Sequence, residues 1–377
     1  MNLHNITTPA ALLDKARMDS NILRMQQRIS ALGARLRPHV KTAKCIDVAR
    51  LQMAAGAVGI TVSTLKEAEQ FFAAGFNDIL YAVCIAPGKL PAALQLVQRG
   101  CQLTLLVDSL VAAQAVVAAG RAASLALRVM IEIDSDGHRA GVKPENELLL
   151  AIGRLVHEGG TNLVGVMTHA GESYEENTPE GLHRIAEQER ARCVRSAERL
   201  RAAGLPCPEV SVGSTPTASS ALSLQGVTEV RAGVYVFQDL VMCNVGVAST
   251  ADVALSVLTS VIGHQADKGW VLVDAGWMAM SRDRGTQAQK LDHGYGAICD
   301  VMGQDLPEWW MVSANQEHGI VARRDGHVDA DMAKQFPVGS LLRVLPNHAC
   351  ATAAQFGAYT VLAGDGSTKA WARFNGW

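Results

Sequence analysis

The sequence predicts an α/β chain: a (β/α)8 barrel of the TIM type followed by a second, mainly β domain. Three observations carry this. Eight short apolar segments alternate with segments of helical period between residues 35 and 233, the alternation that builds parallel βαβ units. These segments are continuously hydrophobic, as strands covered on both faces must be, and eight such strands close into a barrel. From about residue 245 the texture changes to apolar runs separated by turn signals, the mark of antiparallel strands.

The elements follow in chain order. After Thr8-Pro9 the run from Ala10 to Leu13 is apolar, and residues 14–32 carry Met18, Ile22, Met25 and Ile29 at helical spacing. Strands are expected at 35–38, 59–62, 79–83, 103–107, 127–133, 163–168, 209–212 and 229–233. The intervening helices are expected at 45–55, 64–74, 89–99, 109–119, 145–158 and 179–203. Neither of the first two strands is followed by GxGxxG, which argues against an open dinucleotide-binding sheet. The barrel is assigned to residues 1–245 and the β domain to 246–377. Within the latter, strands are expected at 253–262, 269–273, 310–312, 320–322 and 340–345, around turns such as Arg324-Asp325-Gly326 and Gly364-Asp365-Gly366.

Composition bounds the function. The 377 residues are 19% charged and 49% hydrophobic, with a net charge of -2. No global field favours nucleic acid or an anionic membrane, so a small-molecule ligand is expected. The first residues lack a basic, apolar leader, and the longest apolar run, residues 110–120, stops at Arg121. A cytoplasmic protein with no membrane span is expected. Eight cysteines are scattered without a CxxC pair, which argues against a disulfide scaffold and a zinc knuckle.

In a parallel barrel the reacting groups stand at the carboxyl ends of the strands. The first such end is Arg37-Pro38-His39-Val40-Lys41-Thr42-Ala43-Lys44. A lysine there, partly desolvated and beside Arg37, His39 and Lys44, is freed as a nucleophile that can form a Schiff base. Read alone, the stretch is equally a solvated basic loop. The fifth strand ends in a charge cluster, Glu132 to Gly141, in which Arg139, held in position by nearby acids, reaches a ligand or is only part of a salt-bridged loop. His169-Ala170-Gly171 follows the sixth strand, where the imidazole can stack on a flat cofactor or simply hold the loop. Gly213-Ser214-Thr215-Pro216-Thr217, with the amides of Ala232-Gly233-Val234, offers a phosphate cradle or an ordinary helix cap. In the β domain, His348 and Cys350 are expected at i and i+2 of an extended segment after the strand at 341–345. From there they can grip one ion and leave positions for water and substrate, although His-x-Cys is a frequent chance pattern.

Taken together and in order, these motifs, with Ser63-Thr64-Leu65-Lys66-Glu67-Ala68, Arg231-Ala232-Gly233-Val234-Tyr235, Glu317-His318-Gly319 and Pro346-Asn347-His348-Ala349-Cys350, resemble the D-threonine aldolase and D-serine dehydratase family over nearly the whole chain. Within that family the pattern is most similar to the bacterial D-threo-3-hydroxyaspartate dehydratases. The resemblance implies an alanine-racemase-like fold, a homodimer, and pyridoxal 5'-phosphate (PLP) as cofactor. It implies Lys41 as the Schiff-base and proton-transferring lysine, with Arg139, His169 and Tyr174 around the ring. Thr215, Gly233, Val234 and Tyr235 would hold the phosphate, and His348 and Cys350 a divalent cation (Zn, Mn or Mg). Aldolases of the family resemble this pattern with aspartate at the second metal position, so Cys350 favours dehydration of a β-hydroxy D-amino acid to an oxo acid and ammonia. Aldol cleavage and D-serine dehydration are the alternatives, and a non-catalytic PLP-binding protein is an alternative of another class. For a substrate with a distal carboxylate, Arg282, Arg284, Lys290 and His318 are candidate partners.

Overall fold

The computed structural model describes residues 3–377. By packing the chain divides into two compact units, residues 23–233 with 376–377, and residues 1–22 with 234–375. Strand β1 (Ala10–Asp14) leads into helix α1 (Lys15–Ala31). The larger unit continues with β2 (Arg35–Leu36), α2 (Ile46–Ala54), β3 (Ile60–Val62), α3 (Leu65–Ala73), β4 (Asp78–Cys84), α4 (Leu90–Gln98), β5 (Gln102–Val107) and α5 (Leu110–Ala123). It is completed by β6 (Arg128–Ile133), α6 (Leu148–Glu158), β7 (Asn162–Thr168), α7 (Pro179–Ala202), β8 (Glu209–Val212), α8 (Thr215–Ser220) and β9 (Glu229–Val230).

All eight expected barrel strands are present, and they pair in parallel in the order β2-β9-β8-β7-β6-β5-β4-β3. The two ends of this ladder meet through a parallel bridge between His39 and Thr61, with Val58 N–H donating to Leu36 O at 2.9 Å. The ring is thereby closed. Thr64, Ser109 and Thr178 each cap the following helix by accepting the amide hydrogen of the third residue on, which fixes where those helices start.

At the opposite, amino-terminal end, Arg37 is buried and bonded to Glu229 Oε2 at 2.6 Å and to Asp78 Oδ2 at 2.8 Å. Lys44 is also committed elsewhere, to buried Glu67 at 3.1 Å. The sequence reading placed both cations beside Lys41. The structure corrects this: Arg37 is drawn to Glu229 and Asp78 at the starts of their strands, and Lys44 turns back to Glu67 on α3.

The second unit contains α9 (Leu240–Val245), β10 (Leu255–Gln265), β11 (Trp270–Val273), β12 (Ala297–Cys299), β13 (Asp305–Ala314), β14 (Gly319–Arg323), β15 (Leu341–Leu345), β16 (Ala358–Leu362) and β17 (Thr368–Ala372). Six strands, β10, β11, β14, β13, β12 and β15, pair antiparallel around a closed ring. Inside it Val257, Val261, Val273, Trp309, Met311, Val321, Phe336 and Val344 form one apolar core. Ring closure needs β10 to pair with both β15 and β11, and a bulge between Val261 and Gly263 turns it from the first toward the second. Its first half also pairs with β1, from which β16 and β17 extend the sheet. The apolar run at residues 10–13, read as part of the barrel domain, is therefore a strand of this second sheet. Its partners lie more than 240 residues away in sequence, so no local pattern announces them.

Candidate active site

At the carboxyl mouth of the larger barrel, Lys41 is exposed on the loop after β2, and its charge is felt by the rings of both His39 and His169. His169, directly after β7, is half-buried, and its Nδ1 lies 3.0 Å from the carbonyl oxygen of Gly213. A carbonyl can only accept, so Nδ1 carries the hydrogen and Nε2 presents a lone pair. Burial first, then the cationic Lys41, Arg139 and Arg231, push the His169 pKa down to about 3. Its ring is neutral at physiological pH, flat and fixed in one tautomer. The Tyr174 ring stands 6.0 Å from it.

Arg139 is exposed and 4.0 Å from Glu132. The acids of its own loop hold backbone instead: Asp134 accepts the amides of Asp136 and Gly137, while Asp136 accepts those of His138 and Glu172. Of the nearby acids expected to hold Arg139, Glu132 therefore faces it, whereas Asp134 and Asp136 satisfy their own turn first. Glu132 also accepts from Cys84 Sγ at 3.1 Å, and Cys84, Asp108 and Glu132 bring their ligating atoms within 4.8 Å of one another. None of the eight cysteines forms a disulfide.

The loop after β8 is tightly constrained. Gly213 has φ +132°, and a Cβ there would stand 2.0 Å from Arg231 O. Ser214 caps α8 in a reciprocal arrangement with Thr217, and the Thr215 side chain is fully buried. Gly233 lies beside the first-strand loop, where a Cβ would come within 3.2 Å of His39 O and Thr42 Oγ1. Two buried charged residues that the sequence reading did not single out for these roles support the loops. Glu189 on α7 accepts the amides of both Ala170 and Gly213. Arg231 donates to Ser211 Oγ at 2.9 Å and to Thr168 O. The structure thus brings Lys41, Arg139, His169, Tyr174, Thr215 and Gly233 to one end of this barrel. Val234 and Tyr235 follow Gly233 in the chain, are buried in a single 3-10 turn, and belong to the other unit.

In that second unit, His348 and Cys350 are not on an extended segment. The strand β15 ends at Leu345, His348 caps a one-turn helix, Ala349–Ala353, and Cys350 lies in its first turn. Pro346 ends the strand, and the buried Asp239 carboxylate, by accepting the Ala349 amide at 2.9 Å, fixes the turn. The two side chains still meet, because a cap residue and the second residue of the helix share one corner. His348 Nδ1 is 2.6 Å from Asp283 Oδ2. Burial opposes the imidazolium, but Cys350, Asp283 and Asp239 outweigh it and raise the His348 pKa to about 11. A carboxylate that orients one ring nitrogen and leaves the other beside a sulfur is the arrangement of a metal-binding histidine. Among the expected carboxylate partners, Arg284 is paired with Asp292 at 2.9 Å and Arg282 lies over the Trp277 ring.

The residues present therefore fit both groups implied by the motifs. An exposed amine, a neutral ring and a loop stripped of Cβ bulk suit a flat phosphorylated aldehyde, and an oriented histidine with a thiol suits a divalent ion. Comparisons with known proteins agree with this chemistry. Residues 13–240 match the alanine racemase N-terminal domain, and residues 254–362 a putative serine dehydratase domain. D-threo-3-hydroxyaspartate dehydratase of Delftia sp. (strain HT23) is 65% identical over 100% of this chain and 99% of its own. Its solved structure superposes with a TM-score of 0.99 over 100% of this chain and 99% of that one. A cysteine-to-alanine mutant of a D-threo-3-hydroxyaspartate dehydratase, solved in a metal-free form, is 64% identical with a TM-score of 0.99 and full coverage of both chains. D-serine dehydratase of Dictyostelium discoideum is 30% identical over 97% of this chain and 95% of its own. Among the described residues no helix is long and apolar enough to cross a membrane. By matched domains and by full-length identity, the chain belongs to the alanine-racemase-like family of D-serine dehydratases and their relatives, with a racemase-type barrel followed by a serine dehydratase domain.

Proposed function

We propose that this protein is a PLP- and divalent-metal-dependent lyase that dehydrates β-hydroxy D-amino acids. D-threo-3-hydroxyaspartate is the substrate proposed, and oxaloacetate and ammonia are the products. The observation that carries the reading is the 65% identity to the Delftia dehydratase over 100% of this chain and 99% of that one. PLP, when bound by the barrel, supplies an electron sink for the bonds at the substrate α-carbon. His348 and Cys350 would hold the cation, Zn, Mn or Mg, which would supply Lewis acidity toward the β-hydroxyl.

The remaining roles fall to the chain itself. Lys41 Nζ would hold the cofactor and, when free, would accept the substrate α-proton. His169, neutral and locked by Gly213 O, covers the ring without adding charge. Arg139, Tyr174, Thr215, Gly233, Val234 and Tyr235 are assigned to ring and phosphate, the last two through the turn that continues from Gly233. Asp283 orients His348. A homodimer, which rests on family resemblance, and a cytoplasmic location, which rests on composition, are part of the same proposal.

Product analysis tests the reading. The purified protein with PLP and a divalent salt is given D-threo-3-hydroxyaspartate, D-serine and D-threonine separately. Ammonia and oxaloacetate from the first are expected, with turnover abolished by chelation and visible cofactor absorbance lost in Lys41→Ala. Glycine with an aldehyde or glyoxylate would assign aldol cleavage instead.

A further inference from the structure

Glu189 is an acid in an unusual place. Helix α7 is rich in charge, yet its buried stripe runs Leu182, Ile185, Ala186, Glu189, Cys193, Ala197 and Leu200. Glu189 sits in the middle of that stripe with 2% of its surface exposed. A carboxylate placed among apolar neighbours is costly unless it is bonded, and this one is bonded three ways. Its Oε1 accepts the Ala170 amide at 2.9 Å and the Gly213 amide at 3.0 Å, and its side chain also hydrogen-bonds Thr217. The Thr217 hydroxyl in turn accepts the Ser214 amide at 3.0 Å. Ala170 belongs to the loop after β7, and the other three residues to the loop after β8 and the first turn of α8.

The consequence concerns Gly213 most. Its N–H is held by Glu189, its C=O by the ring of His169, and its α-carbon is pressed against the backbone of Arg231. We infer that Glu189 is a positioning residue that locks the loop Gly213-Ser214-Thr215 to the loop Ala170-Gly171, and so presets the phosphate-binding side of the cofactor pocket. It touches neither cofactor nor substrate. It acts through Gly213 and Thr217, and the buried Arg231 lies near enough to offset its charge. The inference rests on the reading of this barrel mouth as a PLP site.

The test compares PLP with pyridoxal, which lacks the phosphate, by titration of apo-protein followed by tryptophan fluorescence, with the melting temperature of each apo-variant recorded. Glu189→Met keeps the side-chain length but strands two buried amides. It is expected to weaken PLP binding about tenfold while pyridoxal changes by less than about threefold. Glu189→Gln keeps the accepting oxygen and is expected to restore PLP affinity to within about threefold of wild type. Thr217→Val leaves the carboxylate in place and cuts its link to Ser214. It is expected to lose phosphate-dependent affinity by about threefold or more, and it decides the matter if Glu189→Met does not fold. Equal losses for PLP and pyridoxal, or wild-type PLP affinity in Thr217→Val, overturn the assignment. A wild-type protein that binds neither compound removes the cofactor reading itself, a different result from a wild type that binds PLP beside variants that bind it equally well.

Discussion

The substitution Gly213→Ala replaces one hydrogen by a methyl group at the most constrained point of the barrel mouth. The new Cβ would stand 2.0 Å from Arg231 O, 2.8 Å from Arg231 N and 2.9 Å from its carbonyl carbon, all backbone atoms of a residue that is 3% exposed. Carbon and oxygen rest at about 3.5 Å, so one side must retreat by more than about 1 Å. Arg231 is held by Ser211, Thr168 and the parallel pairing of β8 with β9, whereas Gly213 is in a loop, so Gly213 moves. A shift of that size breaks its bonds to Glu189 and His169, each 3.0 Å long. Alanine at φ +132° adds strain of about 1–3 kcal/mol. With two hydrogen bonds at about 1 kcal/mol each, the expected loss of stability is roughly 3–5 kcal/mol. Displacing Ser214 and Thr215 by about 1 Å should also cost on the order of 100-fold in turnover. Urea unfolding and steady-state kinetics of the variant measure both. Wild-type values for the unfolding midpoint and for turnover would show that the loop accommodates a Cβ, and the account of this site as rigid would be wrong.

Other expectations are more quickly stated. Arg37→Met leaves Glu229, whose side chain is 3% exposed, without its cation and should destabilise the protein by about 3–5 kcal/mol in urea unfolding. Adding Glu229→Leu should recover much of that, and a single variant that loses under about 1 kcal/mol would show that the pair is dispensable. Asp283→Ala removes the carboxylate from His348 and should weaken metal binding about tenfold, measured by competition with a chelator. Both side chains are about two-fifths exposed, so the low end of the usual range is expected, and an unchanged affinity would separate Asp283 from the ion. His169 has its pKa depressed from 6.5 to about 3, so the unfolded chain takes up its proton first. Stability should therefore fall as pH drops from about 6.5 toward 3, and His169→Gln should flatten that slope in unfolding midpoints collected across the range. An identical slope in the variant would place the titrating group elsewhere.

The sequence carried the barrel clearly, because eight buried parallel strands need eight continuous apolar runs and the helices between them keep a 3.6-residue period. It was less informative where contacts are long-range or elements are short. Strand β12 is three residues long, and β16 and β17 follow ordinary loops, so periodicity had nothing to act on. Placing Lys41 at a strand end was legible from Pro38 and the apolar residue before it. The fates of Arg37 and Lys44 were not, since those depend on which acids the fold brings up from Asp78, Glu229 and Glu67. Asp283 gave no signal at all, as it is 65 residues from His348 in an unremarkable polar stretch. Glu189 did leave one: a charged residue at an apolar-stripe position of a helix deserves suspicion even when the helix is otherwise highly charged.

Strand β1 is made by the ribosome long before β10 and β16, the two strands it lies between. Until residues 255–258 and 360–362 have emerged, its edges have no native mates, so the nascent protein carries an unsatisfied ribbon through most of translation. The residues that make up the large barrel are all synthesised in that interval. A chain cut short after residue 233 would hold those residues yet keep the ribbon bare, and its tendency to self-associate should disappear once residues 1–14 are removed as well.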